Sequence, residues 1–127
     1  MADLVADLEC LKFERLALAD QRLAEYLSTH PVDVNGKLYG VTEREYSDLL
    51  SFHAARQFTT AAGHSIQPEW HTLDGACQMC TEEELAQISV AIISTVYPRK
   101  KKLQEIRSRI SAATSEEEVN AVEISFE

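Results

Sequence analysis

Residues 70–85 read Trp70-His71-Thr72-Leu73-Asp74-Gly75-Ala76-Cys77-Gln78-Met79-Cys80-Thr81-Glu82-Glu83-Glu84-Leu85, and they decide the fold because two local signals stand back to back. Asp74-Gly75 lies between β-prone segments, and an Asp-Gly pair supplies the positive φ angles of a tight hairpin turn. Thr81-Glu82-Glu83-Glu84 then has the spacing of a capping box, in which the threonine and the third glutamate satisfy each other's backbone N–H. A hairpin that runs directly into a capped helix implies an α+β chain. With a two-residue turn, strands 66–73 and 76–80 set Leu73 against Ala76, His71 against Gln78 and Trp70 against Met79, the last pair forming a corner of the core. The helix runs from Glu82 to Tyr97. Pro98 lacks the N–H that the helical ladder needs, so the reading breaks or kinks the helix there and starts a second segment over 99–111.

The same punctuation repeats upstream. Val32-Asp33-Val34-Asn35-Gly36-Lys37-Leu38-Tyr39 places Asn-Gly between two short strands, which is the strongest short hairpin signal. Thr42-Glu43-Arg44-Glu45 opens a helix that Gly63 stops after about Ala62, with Tyr46, Leu49, Leu50, Phe52 and His53 on its buried side. The two hairpin-then-helix units share a pattern and not residue identities, so no duplication is assigned. Before them, residues 2–29 hold no Gly or Pro and are rich in Leu, Ala, Glu and Arg. Leu4, Leu8, Leu11, Leu16, Leu23 and Leu27 recur at helical spacing, and Pro31 ends the run. One helix of about 40 Å results at 1.5 Å per residue. At the other end, Ser115-Glu116-Glu117-Glu118 opens a short helix through Val122, and residues 124–127 read as a tail. The expected fold is α+β: a long N-terminal helix over 1–30, then a domain over 31–127 with two antiparallel hairpins, each followed by a helix, and short C-terminal helices.

The composition limits the function classes. The chain has 127 residues and 45% hydrophobic content, enough for a real core. Twelve basic against 21 acidic side chains leave a formal charge of −9, which disfavours general nucleic-acid binding, because phosphate neutralisation requires excess Lys and Arg. Three cysteines, Cys10, Cys77 and Cys80, without a leader-like start, suggest a reduced, cytoplasmic setting. The longest apolar run, 88–96, is interrupted by Ser89, Ser94 and Thr95 and is too short to cross a bilayer, so no membrane partner is expected.

Each reactive motif has a simpler explanation in helix or strand structure. Cys77-Gln78-Met79-Cys80 has redox spacing, but a redox pair belongs at a helix N-terminus, whereas residues three apart on a strand point to opposite faces. Zinc held by Cys77, Cys80 and two of His53, His64 and His71 would lack the knuckle glycine and the second ligand pair of structural sites. His71 is read as a cross-strand partner of Gln78, and His53 as a half-buried helix residue. The acids of 82–84 and 116–118 lie in first helical turns, where the helix dipole favours negative charge. No phosphate loop, nucleophile elbow or dinucleotide fingerprint is present. No catalytic residue, cofactor or metal is therefore assigned. Arg99, Lys100, Lys101, Lys102, Arg107 and Arg109 gather half of the basic side chains within eleven residues, either as a solvated helix face or as a docking strip for an acidic surface.

From about residue 32 onward the order of features resembles a small bacteriophage and prophage domain family of unknown function, associated with tail-fibre genes and tail-fibre assembly proteins. The matching elements are Val34-Asn35-Gly36-Lys37-Leu38-Tyr39, Trp70-His71-Thr72-Leu73-Asp74-Gly75, Thr81-Glu82-Glu83-Glu84-Leu85 and residues 106–122 with Ala112-Ala113-Thr114-Ser115-Glu116-Glu117-Glu118-Val119. Cys77 and Cys80 lie outside that pattern. The resemblance implies a non-enzymatic structural or tail-assembly protein, either a fibre or baseplate accessory or a fibre-assembly chaperone. Such a protein would act in the host cytoplasm during assembly or within the virion. Its expected partners are tail or fibre proteins and, through the N-terminal helix, a second copy, with Leu4, Leu8, Leu11 and the basic strip as contact residues. The alternatives are an acidic nucleic-acid mimic that inhibits a host defence protein, and a thiol or zinc protein using Cys77 and Cys80.

Overall fold

A computed structural model describes the backbone of residues 2–127 and the side chains of residues 6–127. The order is α1 (Ala2–Thr29), β1 (Val32–Val34), β2 (Lys37–Tyr39), α2 (Glu43–Ala61), β3 (Glu69–His71), β4 (Cys77–Met79), α3 (Glu82–Ala112) and α4 (Glu116–Ala121). The α+β class, the long first helix and the two antiparallel hairpins are as the sequence implies. The chain packs as two compact units, residues 1–26 with 98–127 and residues 27–97, a division that falls inside α1 and α3.

In the first unit α1 and the second half of α3 run antiparallel, as three contacts in order along them show. Arg99 donates to the Tyr26 hydroxyl at 2.7 Å, Arg107 donates to both oxygens of Asp20 at 2.9 and 3.0 Å, and Lys12 donates to the Ser111 carbonyl at 3.0 Å. Ala19, Leu23, Ile106, Ile110, Ala113 and Val119 are buried in this unit. Ser115 caps α4 by accepting from Glu118 N–H at 3.2 Å, but the Glu118 carboxylate reaches the N–H of Thr114 at 2.7 Å, one residue before the position a capping box requires. The segment read as a tail is anchored: Phe126 is buried and its carbonyl accepts from Arg99 Nε at 3.0 Å. An apolar aromatic four residues after an apolar helix face gains more from burial than chain freedom costs.

In the second unit the buried side chains include Leu27, Tyr39, Val41, Leu49, Trp70, Leu85, Ile88, Ile92 and Val96. Thr42 caps α2 from an extended conformation. The helix ends in a Schellman motif in which Gly63, at φ +88°, lets its own N–H reach the Thr60 carbonyl at 3.0 Å and the His64 N–H reach Thr59 at 2.9 Å. Leu50, expected on the buried face, is 44% exposed while Leu49 is fully buried. Adjacent helix positions lie about 100° apart, and here it is Leu49 that takes the inward direction.

α3 does not stop at Pro98; it is one helix from Glu82 to Ala112. The buried positions Leu85, Ile88, Ile92 and Val96 and then Ile106, Ile110 and Ala113 keep three- and four-residue spacing on both sides of the proline. Burial on either side holds a helix that local propensity alone would end.

Candidate functional site

The second hairpin corrects the expected register. Glu69 pairs with Met79, Trp70 with Gln78 and His71 with Cys77, one residue away from the two-residue-turn alignment. Thr72 N–H donates to the Ala76 carbonyl at 3.0 Å and Gly75 N–H to the Thr72 carbonyl at 2.9 Å, leaving a three-residue loop of Leu73, Asp74 and Gly75. Gly75 sits at φ +90°, the left-handed residue that follows a type I turn in such loops. The slip reverses the expected corner: Trp70 is buried against Phe52, with centroids 6.1 Å apart, and stacks on His71 at 4.7 Å, while Met79 is 66% exposed. His71 opposes Cys77, and Gln78 instead accepts from Lys37 Nζ at 2.6 Å.

The first hairpin keeps its two-residue turn. Asn35 and Gly36 hold φ of 55° and 86°, Val34 pairs with Lys37, and Asp33 Oδ1 accepts from Gly36 N–H at 2.9 Å. Leu73 N–H donates to the Leu38 carbonyl at 2.8 Å, joining the loop of one hairpin to a strand of the other. Between them opens a groove of about 590 Å³, lined by Gly36, Lys37, Leu38, Thr72, Leu73, Asp74 and Gln78. Leu38 and Leu73 are 46% and 52% exposed. The Asp74 carboxyl is held below its ordinary range first by the Thr72 hydroxyl that donates to it and then by the Ala76 N–H at 3.2 Å. The groove thus has two leucines on its walls and a fixed negative charge at one turn. Residues 34–39 and 70–75, one segment from each hairpin, meet in this groove. Sequence reading found both turns but assigned no site to them, because the register that brings Leu73 to Leu38 depends on a loop one residue longer than Asp-Gly implies.

Several of the reactive side chains have structural partners. The Ser89 hydroxyl donates to the Leu85 carbonyl at 2.6 Å, so His53 Nε2, 2.8 Å from that oxygen, serves as the donor, and no activated serine results. Cys77 is exposed, and Cys80 is half-buried with its thiol pushed up by burial and then by the charge of Glu84, which disfavours the thiolate. Glu84 and Thr81 complete the capping box with two bonds of 3.0 Å. Glu82 pairs with Arg56. Among the described residues no group of three or more His, Cys, Asp or Glu is arranged to hold a metal ion.

The expected contact residues divide. In the first unit Arg99 lies 4.4 Å over the Tyr26 ring and Arg107 grips Asp20, so both serve internal packing. Lys101 and Arg109 are exposed, and Lys100 and Lys102 are half-buried. Leu8 and Leu11 are half-buried on the same face of α1 as the buried Ala19, and the side chain of Leu4 lies outside the described residues. No helix among the described residues is long and apolar enough to cross a membrane. No family model, curated protein or solved structure matches the chain.

Proposed function

We propose that the protein is a non-enzymatic module that works through protein contacts, and that its setting is bacteriophage or prophage tail assembly, as a fibre or baseplate accessory or a fibre-assembly chaperone. The observation that carries this reading is the groove between the hairpin turns, where 34–39 and 70–75, more than thirty residues apart in sequence, present Leu38 and Leu73 to solvent. Paired apolar side chains at the mouth of a polar-edged groove suit a protein partner, because their burial is the main gain available on association. A photo-crosslinking residue at Leu73, introduced in the native producing cells and followed by mass spectrometry, tests it. Crosslinks to tail or fibre chains are the expected result; crosslinks confined to unrelated host proteins would sink the assembly reading.

A second reading, an acidic mimic directed at a host defence protein, draws on residues 27–97, which hold nine acids and three bases. Two of those bases are themselves engaged, Lys37 with Gln78 and Arg56 with Glu82, while Arg44 is exposed, 3.9 Å from Asp48. Recovery of a host nuclease or defence factor in the same experiment would favour it.

A further inference from the structure

The face of α1 that the leucine pattern did not single out carries a second surface. Ala6, Cys10, Phe13 and Ala17 are all exposed, Phe13 by 74%. Their spacing of four, three and four confines them to a sector about 60° wide, opposite the face that bears Leu8, Leu11, Arg15 and Ala19. In heptad terms Cys10 and Ala17 are a positions and Ala6 and Phe13 are d positions. A large aromatic held three-quarters in water, with small residues on both sides, is a knob without a hole.

The flanking charges say what kind of helix could supply that hole. Asp7 and Glu14 occupy e positions and Glu9 a g position, and all three are exposed. The only cations between residues 6 and 17, Lys12 and Arg15, turn away to the carbonyls of Ser111 at 3.0 Å and Val122 at 2.9 Å. A second copy is therefore a poor partner in either direction. Parallel pairing sets Glu9 against Glu14 of the other helix, and antiparallel pairing sets e against e, Asp7 against Glu14, again carboxylate against carboxylate. Lys or Arg at the partner's flanking positions converts each of these contacts into an attraction.

We propose that residues 6–17 of α1 dock an amphipathic helix of a different protein, one with an apolar a/d seam that receives Phe13 and with basic residues at its e and g positions. This surface shares no residue with the hairpin groove, so the two can be tested apart. The probe is a three-heptad synthetic peptide with Leu at a and d and Lys at e and g, compared with the same peptide carrying Glu at e and g. Binding to the full chain is followed by fluorescence anisotropy and its oligomeric state by light scattering. The basic peptide is expected to bind at least about tenfold more tightly than the acidic one. Phe13→Ser is expected to abolish that binding with an unchanged helical circular dichroism spectrum, the Glu9→Lys and Glu14→Lys double variant to invert the peptide preference, and Leu73→Glu to leave it unaltered. Equal binding of the two peptides, binding indifferent to Phe13→Ser, or a dimer of the free chain that Phe13→Ser dissolves would each overturn the proposal.

Discussion

Gly36 and Gly75 sit at φ +86° and +90°, and a methyl group added at either would meet no atom within 4 Å. The requirement for glycine there is purely conformational. Gly36→Ala is therefore expected to cost about 1 kcal/mol in urea unfolding, the left-handed penalty without a steric clash. A loss of several kcal/mol would mean that the turn carries packing not visible around it. Three carboxylates in residues 27–97 titrate below their ordinary range: Asp74 through the Thr72 hydroxyl, Glu82 through the Arg56 guanidinium, and Glu84 through the Thr81 N–H and hydroxyl. A lowered folded-state pKa contributes stability that is present above the unfolded carboxylate range, about pH 4, and is lost as pH falls through the folded value. The urea midpoint should accordingly decline below about pH 4, and Glu84→Gln should make that decline shallower. A midpoint that holds or rises on acidification would contradict the assignment.

At the level of elements, Pro98 is the sharpest local conflict in the chain. It stands inside α3 without an N–H to give to the Ser94 carbonyl, and replacing it with the best helix former should stabilise the protein by about 1–3 kcal/mol in thermal or urea unfolding. Destabilisation by Pro98→Ala would show instead that the proline's shape is needed where it stands. The limits of sequence reading appear at the same places. The α1 boundaries, the Asn35-Gly36 turn and the Thr42, Thr81 and Ser115 caps were all legible, because each rests on chemistry within four residues. Continuity through Pro98 was not, since it depends on buried side chains from Leu85 to Ala113, far outside any local window. The register of the second hairpin was missed because Asp-Gly serves two-residue and three-residue loops alike, and only the pairing of Thr72 with Ala76 distinguishes them. The groove inherited that error: its turns could be read, but the bond from Leu73 to Leu38 that joins them could not. Leucine spacing likewise identified the inward face of α1 and left Phe13, on the other side, unassigned.

Across the whole molecule, the last residues matter more than their irregular conformation suggests. Phe126 is 4% exposed and its carbonyl binds Arg99, which also stacks on Tyr26. Phe126→Ala should cost about 3 kcal/mol in equilibrium unfolding, as for an ordinary core phenylalanine; a change within about 0.5 kcal/mol would return the segment to the status of a tail. One feature of the packing also orders events in time. The first unit is made from the two ends of the chain, residues 1–26 and 98–127, while residues 27–97 form the second without them. During synthesis the second unit can complete its hairpins and helices as they emerge. The amphipathic helix α1, made earlier, has to wait for residues 98–127 before Asp20, Tyr26 and Lys12 meet their partners. Until then its inward leucines are open to whatever else is in the cell. The nascent chain, more than the finished protein, is where a chaperone or a wrong partner would find its hold.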